Sequence, residues 1–574
     1  MPRLPVLVGK PGSGIPEEYL STRSFSEPAV QGERELFPRM WGLRLRLGSA
    51  VRMAGDFLDQ NTAICVATIV LLYVPFALVE AHANLLGSDE LYTYRIARAG
   101  SLRQMLTLMR ETDLHPPLSY LLERMSLWLG GVQALHGLGG RWLFARLPSV
   151  LAGLAASLAL FAFVRRSLGN LFSLVGVAVF WFSPAIDTAW QNRPYMLWLA
   201  LLSALMLSWS RAVKPGRTGW AITGVAASVA GMTMTHMFGL ACVFPFLAVE
   251  AAKWWRVRRT DWPLWLALTL PCLLGVSYAY QVTHFGGTLF PAAYLPSVQA
   301  GFGMYTGMVT DLSVILGCCI VAAMILPTDM GTQRRVRSRN FAEGRDELML
   351  LVGIALLPAL LLTAAAVRQT QFFARYGMCG ILAVSALAPW AMQRKLRGSR
   401  AIATLLVFSL FGNIAARIVT DSATFGGDGE GRHLTGVHPL ALKDLDQHLP
   451  IVAASALTFT EMTDREPDRI AQRTYYLTGG EMAVRYGHAT IFEGEARIHE
   501  LMGMRGEVEP MGEFVDAHKQ FYLIGTYTSD EEWLPRALVA QKQVDVRYLG
   551  KFASTYMAGD DVYLVTMATP PAGS

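Results

Sequence analysis

The sequence predicts an α-helical polytopic membrane protein with about eleven transmembrane helices, followed by a C-terminal extracytoplasmic α/β domain. Three observations support this fold class. Only 16% of the 574 residues are charged while 52% are hydrophobic, and soluble proteins carry about 25% charged residues. The apolar residues are concentrated in runs of roughly 20, which is the length that spans a bilayer core. Beyond about residue 424 the apolar runs shorten to the length of strands.

Residues 1–60 are predicted to be a cytoplasmic tail and an interfacial segment. Residues 1–36 are rich in Pro, Gly, Ser and Glu, which predicts disorder. Residues 37–54 interleave four arginines with Leu, Trp and Met and contain no acidic residue. This pattern is typical of a segment that lies on an anionic membrane surface. The net charge of +6 is carried mostly by short loops, so we expect membrane lipids and no nucleic acid as partners.

Residues 61–420 are predicted to be the transmembrane domain. The basic loops alternate with less basic ones, and basic loops of membrane proteins stay in the cytoplasm. This alternation predicts a cytoplasmic N-terminus and an extracytoplasmic C-terminal domain. We expect the protein in the cell (inner) membrane. The predicted spans are 62–81, 143–164, 170–190, 195–212, 219–235, 237–253, 263–282, 307–327, 347–367, 376–393 and 401–419.

One apolar segment, residues 118–136, does not fit this count. A full crossing there would place every later cluster of arginines outside the cytoplasm. Glu123 and Arg124 lie in its middle, and such charges are costly at bilayer depth. We therefore predict a partly inserted or interfacial helix. A twelfth span paired with a missed short span is the alternative.

Residues 421–574 are predicted to form an α/β domain of ordinary size. All six cysteines lie in the apolar segments that precede it, so neither a disulfide framework nor a cysteine metal site is expected in this domain. The predicted strands are 473–477, 520–525, 544–549 and 561–567, and the predicted helical stretches are 441–449 and 532–541.

The first predicted outer loop carries an acidic pair, Asp89 and Glu90, close to Tyr92. One of the two carboxylates could act as the general base for an acceptor hydroxyl. Alternatively, the pair could share a divalent cation. The plainer alternative is an acidic pair that solvates a loop. If the pattern marks a metal site, Asp89 and Glu90 are its candidates.

Other polar residues also map to the predicted outer side. Arg193 and Arg375 lie at helix ends, where their guanidinium groups could bind a phosphate or extend to lipid headgroups. His115 precedes two prolines that fix the backbone at the start of a helix. His236 ends a predicted span, and a lone histidine there is more often a structural hydrogen-bonding group than a ligand.

Taken in order, these segments resemble the GT-C membrane glycosyltransferases, in particular the family 39-like branch of protein mannosyltransferases and aminoarabinose transferases. The resemblance covers about residues 60–400. It is carried by the Asp89-Glu90 pair and by HPPLSYLL at 115–122, ARLPS at 145–149, RRSLG at 165–169, QNRPY at 191–195, THMFG at 235–239 and FARY at 373–376.

The resemblance implies a GT-C-like fold and an enzyme that transfers a sugar from a polyprenyl-phosphate donor to a hydroxyl, with inversion, outside the cytoplasm. It implies Asp89 as the catalytic base with Glu90 beside it, and Arg375 with Arg193 at the donor phosphate. His115, Tyr92, Tyr376 and His236 would line the pocket. Many relatives have Glu-Ala-Arg where this chain has Gln191-Asn192-Arg193, which puts an acidic role at that turn in doubt.

The sequence leaves several alternatives open. The acceptor is a glycan, a lipid or a protein, and some GT-C enzymes require a divalent cation whereas others do not. A transporter or lipid flippase with an outer binding domain is the main alternative from another class. Two further alternatives are a non-catalytic scaffold and a GT-C-like enzyme that transfers a phosphate-containing group.

Overall fold

The computed structural model describes residues 30–84, 86–113, 115–131, 138–276, 278, 298–325, 341–368, 372–396, 399–423, 445–487, 496, 499–500, 503–525, 532–540, 544–552 and 560–567. Most of the predicted outer loop 283–306 lies outside these residues. The same is true of the first part of the predicted helical stretch 441–449.

The described part of residues 30–423 is almost entirely helical. Its fifteen α-helices among the described residues are α1 (Val30–Gln60), α2 (Thr62–Ala83), α3 (Ser88–Ala97), α4 (Leu102–Thr112), α5 (Leu118–Leu129), α6 (Leu138–Leu168), α7 (Asn170–Trp181), α8 (Pro194–Ala212), α9 (Gly219–Thr233), α10 (Phe244–Val257), α11 (Trp262–Thr269), α12 (Val298–Ile325), α13 (Phe341–Arg368), α14 (Met378–Lys395) and α15 (Ser399–Ala423). The predicted disorder of residues 1–36 is wrong from Val30 onward, because α1 already begins there.

The chain is an integral membrane protein. By length and composition, six helical segments within the described ranges can cross a bilayer: Thr62–His82, Trp142–Leu168, Pro194–Ala212, Met237–Val257, Gly344–Val367 and Arg400–Ser422. Three shorter apolar helices, Asn170–Trp181, Trp262–Val276 and Leu312–Ile325, accompany them. Each of the eleven predicted spans contains helical residues in the structure. That all eleven cross the membrane stays a prediction.

Two predicted membrane segments differ from continuous spans. The predicted span 170–190 ends as an α-helix at Trp181, and Pro184 then begins a short 3₁₀ helix, Pro184–Ala189. Every residue of α7 is buried, so neighbouring helices surround it. Helix α5 has 12 residues and is therefore ~18 Å long, which is shorter than the ~30 Å hydrocarbon core.

The loops predicted to be cytoplasmic meet at one end of the helical domain. Helix α6 connects this end to the predicted outer end, because Arg166 and Arg146 are separated by about twenty residues of continuous helix, or ~30 Å. Ion pairs join the loops at the first end: Arg166 with Glu347 at 4.0 Å, Arg256 with Asp346 at 2.5 Å, and Arg400 with Asp56 at 2.8 Å and Asp59 at 2.9 Å.

In the part of the C-terminal domain that the structure describes, six strands form a mixed sheet in the order β3-β2-β1-β4-β6-β5. Strands β1 to β4 are parallel, and β6 is antiparallel to both β4 and β5. The elements in chain order are β1 (Ile451–Ala453), α16 (Ala456–Arg465), α17 (Asp468–Ala471), β2 (Thr474–Thr478), α18 (Glu481–Gly487), β3 (Glu507–Pro510), α19 (Met511–Ala517), β4 (Gln520–Gly525), α20 (Trp533–Ala540), β5 (Val544–Phe552) and β6 (Asp560–Met567).

Side chains from successive strand residues fill two cores on opposite faces of this sheet, as the period of two requires. On one face Ile451 and Ala453 pack with Phe459 of α16. On the other face Val452 packs with Phe514 and Trp533. The predicted α/β class is therefore confirmed. The predicted helical stretch 441–449 is wrong over residues 445–449, which form bends and turns.

Candidate active site

Three of the predicted outer segments meet at the carboxylate of Asp89. Its Oδ2 lies 3.1 Å from a terminal nitrogen of Arg193 and 3.6 Å from one of Arg375. Arg193 also donates a hydrogen bond of 3.1 Å to the backbone carbonyl of Asp89. The Asp89 side chain keeps 45% of its surface exposed. The structure therefore brings together the predicted base and both predicted phosphate-binding arginines at a surface that solvent reaches.

The start of α3 fixes the direction of the two acidic side chains. Glu90 lies in the first turn, and its Oε2 accepts a hydrogen bond of 2.9 Å from the backbone N–H of Gly87, the residue before the helix. This contact closes the helix end in the manner of a capping box. Because adjacent residues on a helix do not face each other, the contact turns Glu90 inward and leaves Asp89 at the surface.

Glu90 forms a buried ion pair and is not at the open surface with Asp89. Arg146 of α6 donates to both of its oxygens, at 2.9 and 2.7 Å, and the Arg146 side chain is 1% exposed. The backbone N–H of Asn192 donates to the same carboxylate at 2.5 Å. Glu90 thus connects α3 with α6 and with the turn that precedes Arg193.

His115 is oriented by a carboxylate that the sequence analysis did not single out. Its Nδ1 lies 2.7 Å from Oδ1 of Asp113, and the hydroxyl of Tyr120 donates to Oδ2 of the same carboxylate. Burial raises the pKa of Asp113, but the charge of His115 and these hydrogen bonds outweigh it, so the pKa is lowered overall. Asp113 is therefore ionised at neutral pH and holds the proton of His115 on Nδ1.

His236 lies in a cluster of aromatic rings next to the charged side chains described above. It stacks on Trp198 with ring centroids 4.8 Å apart, and it contacts His115, Tyr195 and Tyr376 at 5.4, 5.5 and 5.8 Å. Burial lowers the pKa of His236, and the cations around it add to this effect. Its Nδ1 accepts a hydrogen bond from the backbone N–H of Phe238, so its proton is carried by Nε2.

Five buried polar atoms around this cluster lack a hydrogen-bond partner among the described residues: Nε2 of His115, the hydroxyl of Tyr195, Nε1 of Trp198, Nε2 of His236 and Nε of Arg375. Buried polar groups are normally paired, because an unpaired one costs the free energy of its desolvation. The hydroxyl of Tyr195, Nε1 of Trp198, Nε2 of His236 and Nε of Arg375 each carry a hydrogen that they can donate. The set therefore fits a ligand that supplies acceptor oxygens.

The remaining predicted site residues lie in two places. Tyr376 is part of the ring cluster and packs against Phe238 at 4.9 Å. Tyr92 lies about one turn beyond Asp89 on α3 and packs with Ile96, Tyr120 and Met504 in a separate apolar cluster. The pocket residues predicted from the sequence thus divide into a group around His236 and a second group that borders α3.

Sequence reasoning missed the residues that orient the site. Asp113 stands two positions before His115, and this spacing was the available signal for their contact. No local pattern connects Arg146 with Glu90, which lie far apart in the chain. No group of three or more His, Cys, Asp and Glu side chains suited to a metal ion occurs in the part of the chain that the structure describes.

Residues 115–279 match the family model described as dolichyl-phosphate-mannose-protein mannosyltransferase. This segment includes His115, Arg146, Arg193 and His236. No curated protein sequence matches the chain.

Similar solved structures include ArnT from Cupriavidus metallidurans bound to undecaprenyl phosphate, with 15% identity, a TM-score of 0.49, and 88% of this chain and 99% of that chain covered. The Archaeoglobus fulgidus oligosaccharyltransferase complex with Zn and sulfate has 13% identity and a TM-score of 0.38, with 84% and 73% covered. AglB from the same organism, in complex with an inhibitory peptide and a dolichol-phosphate, has 10% identity and a TM-score of 0.32, with 86% and 74% covered. The predicted resemblance to GT-C membrane glycosyltransferases of the family 39 type is confirmed, and the family model locates it in residues 115–279.

Proposed function

We propose that this protein transfers a sugar from a polyprenyl-phosphate donor to a hydroxyl acceptor on the extracytoplasmic side of the membrane. The observation that carries the proposal is the position of Asp89 between Arg193 and Arg375, where an exposed carboxylate and two cations share one site. The family model that matches residues 115–279 is that of enzymes named for a dolichyl-phosphate sugar donor.

Asp89 acts in this proposal as the general base. Its carboxylate accepts the proton of the acceptor hydroxyl while the acceptor oxygen forms a bond to the anomeric carbon. The bond between that carbon and the phosphate oxygen breaks, and its electron pair leaves with the polyprenyl phosphate. Base and leaving group lie on opposite faces of the sugar in such a single displacement, so the anomeric configuration is inverted.

Arg193 and Arg375 stabilise the charge that develops on the departing phosphate. Each guanidinium has five N–H donors in a planar arrangement, so each can contact Asp89 and a phosphate oxygen at once. Nε of Arg375 is buried without a partner and is suited to this second contact. Preorganised donors of this kind contribute about 2.7–4 kcal/mol each to catalysis in enzymes where one has been removed.

His115, Tyr376 and His236 form the proposed wall of the donor site, and Tyr92 borders it from α3. The unpaired atoms of the ring cluster offer hydrogen bonds to sugar or phosphate oxygens. Asp89 is the remaining candidate for a divalent cation, because Glu90 is held by Arg146. A cation at Asp89 would need its other ligands from the donor phosphate and water. The acceptor is a glycan, a lipid or a protein.

The test uses the purified full-length protein in proteoliposomes with radiolabelled polyprenyl-phosphate sugars and a mixture of envelope acceptors. We expect label to leave the lipid and appear in a covalent product with the opposite anomeric configuration. A nucleotide sugar, supplied as the control donor, should give no product. Label that crosses the membrane while still joined to its lipid would instead identify a flippase and would contradict the proposal.

A further inference from the structure

The C-terminal domain contacts α3, the helix that carries Asp89, at both of its ends. At the N-terminal end Arg465 of α16 donates a hydrogen bond to the backbone carbonyl of Leu86, just before the helix begins. Arg465 also lies 3.5 Å from Glu461, one turn earlier on α16. This side chain is 10% exposed, so the contact is formed inside the interface between the two domains.

At the other end of α3, Arg95 extends into the C-terminal domain. Its guanidinium donates to the backbone carbonyl of Thr460 at 3.1 Å and to the hydroxyl of Thr463 at 3.4 Å, and it also contacts the sulfur of Met504 at 3.3 Å. Hydrogen bonds from a charged donor are the stronger ones in proteins. Arg95 and Arg465 therefore form reciprocal contacts, one from each domain to the other.

Met504 adds an apolar contact between the same parts of the molecule. It packs against the cluster formed by Tyr92 and Ile96 of α3 with Tyr120 of α5. Tyr120 is the residue whose hydroxyl donates to Asp113, which in turn orients His115. A side chain of the C-terminal domain thus packs against α3, which carries Asp89, and against Tyr120, which contacts the carboxylate that orients His115.

We propose that the C-terminal domain is a positioning element for α3, and that Arg95 and Arg465 are the residues through which it holds Asp89 in place. The catalytic role of Asp89 rests on the proposed function. The domain acts through α3 and does not touch the reacting atoms.

The physical reason lies in the length and position of α3. It has 10 residues, and helices shorter than about 12–15 residues are marginal in water without tertiary contacts. A base must lie within hydrogen-bond reach of its proton, and a displacement of about 1 Å can cost about a hundredfold in rate. Contacts at both ends of so short a helix limit this displacement.

The experiment measures hydrogen–deuterium exchange by mass spectrometry on the full-length protein in detergent micelles. In Arg95→Ala the backbone amides of residues 90–97 should exchange about tenfold faster, because the contacts of a charged donor are lost. Thr463→Val, which removes one acceptor oxygen from the opposite side of the interface, should give a smaller increase at the same amides.

Arg98→Ala is the matched control. This arginine follows α3 directly, and its guanidinium donates to the hydroxyl of Tyr94 of α3 at 3.1 Å. Exchange of α3 should stay within about twofold of wild type in this variant. Unchanged exchange of α3 in Arg95→Ala, or an equal increase in Arg98→Ala, would overturn the proposal.

A kinetic readout separates positioning from a purely structural role. Per folded molecule, Arg95→Ala should lower kcat about tenfold or more and leave KM for the lipid-linked donor within about twofold, because the donor-binding arginines are intact. An unchanged kcat per folded molecule would overturn the positioning role. Failure of the proposed function is distinguishable, since the exchange of α3 does not depend on any activity.

Discussion

At the residue scale, the neighbouring carboxylates of Asp89 and Glu90 show how position on a helix separates two similar groups. The Glu90 side chain is 8% exposed and paired with Arg146, whereas Asp89 is 45% exposed and lies between two arginines. The sequence predicted an acidic pair at the site. It could not predict which carboxylate faces outward, because that depends on Arg146, a partner from a distant helix.

Arg375 offers a direct test of the proposed phosphate site. Arg375→Gln should raise the dissociation constant for polyprenyl phosphate about 10- to 150-fold, since a hydrogen bond to a charged group contributes about 1.5–3 kcal/mol. The measurement is the binding of a fluorescent polyprenyl phosphate to the purified protein. The control is Arg394→Gln. The guanidinium of Arg394 lies 4.0 Å from the centroid of the Trp390 ring, at the predicted cytoplasmic end. A change below about threefold in Arg375→Gln would argue against the phosphate site.

At the element scale, the local sequence predicted the helices and most strands, but it did not predict the contacts between them. Long apolar runs predicted the membrane helices, and the strands β2, β4, β5 and β6 were located to within a few residues. Strands β1 and β3 were missed. Strand β1 is apolar but has only three residues, too few to show the pattern of a strand. Strand β3 alternates acidic residues with others and ends at Pro510, so it produces no apolar run.

The pair formed by Glu90 and Arg146 is predicted to stabilise the packing of α3 on α6. Arg146→Met should lower the free energy of unfolding by about 3–5 kcal/mol, because it leaves the buried Glu90 charge unpaired. The double variant Glu90→Gln and Arg146→Met should recover the part of this loss that comes from the unpaired charge. It should not recover the hydrogen bonds that Arg146 donates to the backbone carbonyls of Ala81 and Asn84. Thermal unfolding of the purified variants, followed by tryptophan fluorescence, measures both effects.

If the double variant unfolds at the same temperature as Arg146→Met, the destabilisation does not come from an unpaired Glu90. The predicted role of Glu90 as a structural partner would then be wrong.

At the scale of the whole molecule, the structure has two chemically different ends. Ion pairs join the basic loops at one end, and the candidate site lies at the other, beside the C-terminal domain. A polyprenyl phosphate keeps its chain in the bilayer, so its reacting headgroup must be bound at a membrane surface. The positive-inside rule predicts that the first end faces the cytoplasm, and we therefore expect the candidate site on the extracytoplasmic side.

Cysteine labelling in intact cells tests this orientation. In a variant without the six native cysteines, Gln447→Cys in the C-terminal domain should react with a membrane-impermeant maleimide added from outside. Arg259→Cys, which follows the basic end of α10, should react only after the membrane is permeabilised. Equal labelling of both positions from outside, or the reverse order, would contradict the predicted topology.

The most direct test of the central claim is sugar transfer by Asp89→Asn, which keeps the size of the side chain and removes the base. Transfer is measured in proteoliposomes with the labelled polyprenyl-phosphate donor that wild type uses, at equal amounts of folded protein. We predict a loss of at least about a hundredfold in kcat, since positioned general bases contribute about 10²–10⁴. Asp261→Asn, which removes the partner of Arg217 at the predicted cytoplasmic end, should transfer at nearly the wild-type rate. Transfer by Asp89→Asn at the wild-type rate would contradict the account, because Asp89 could not then be the base.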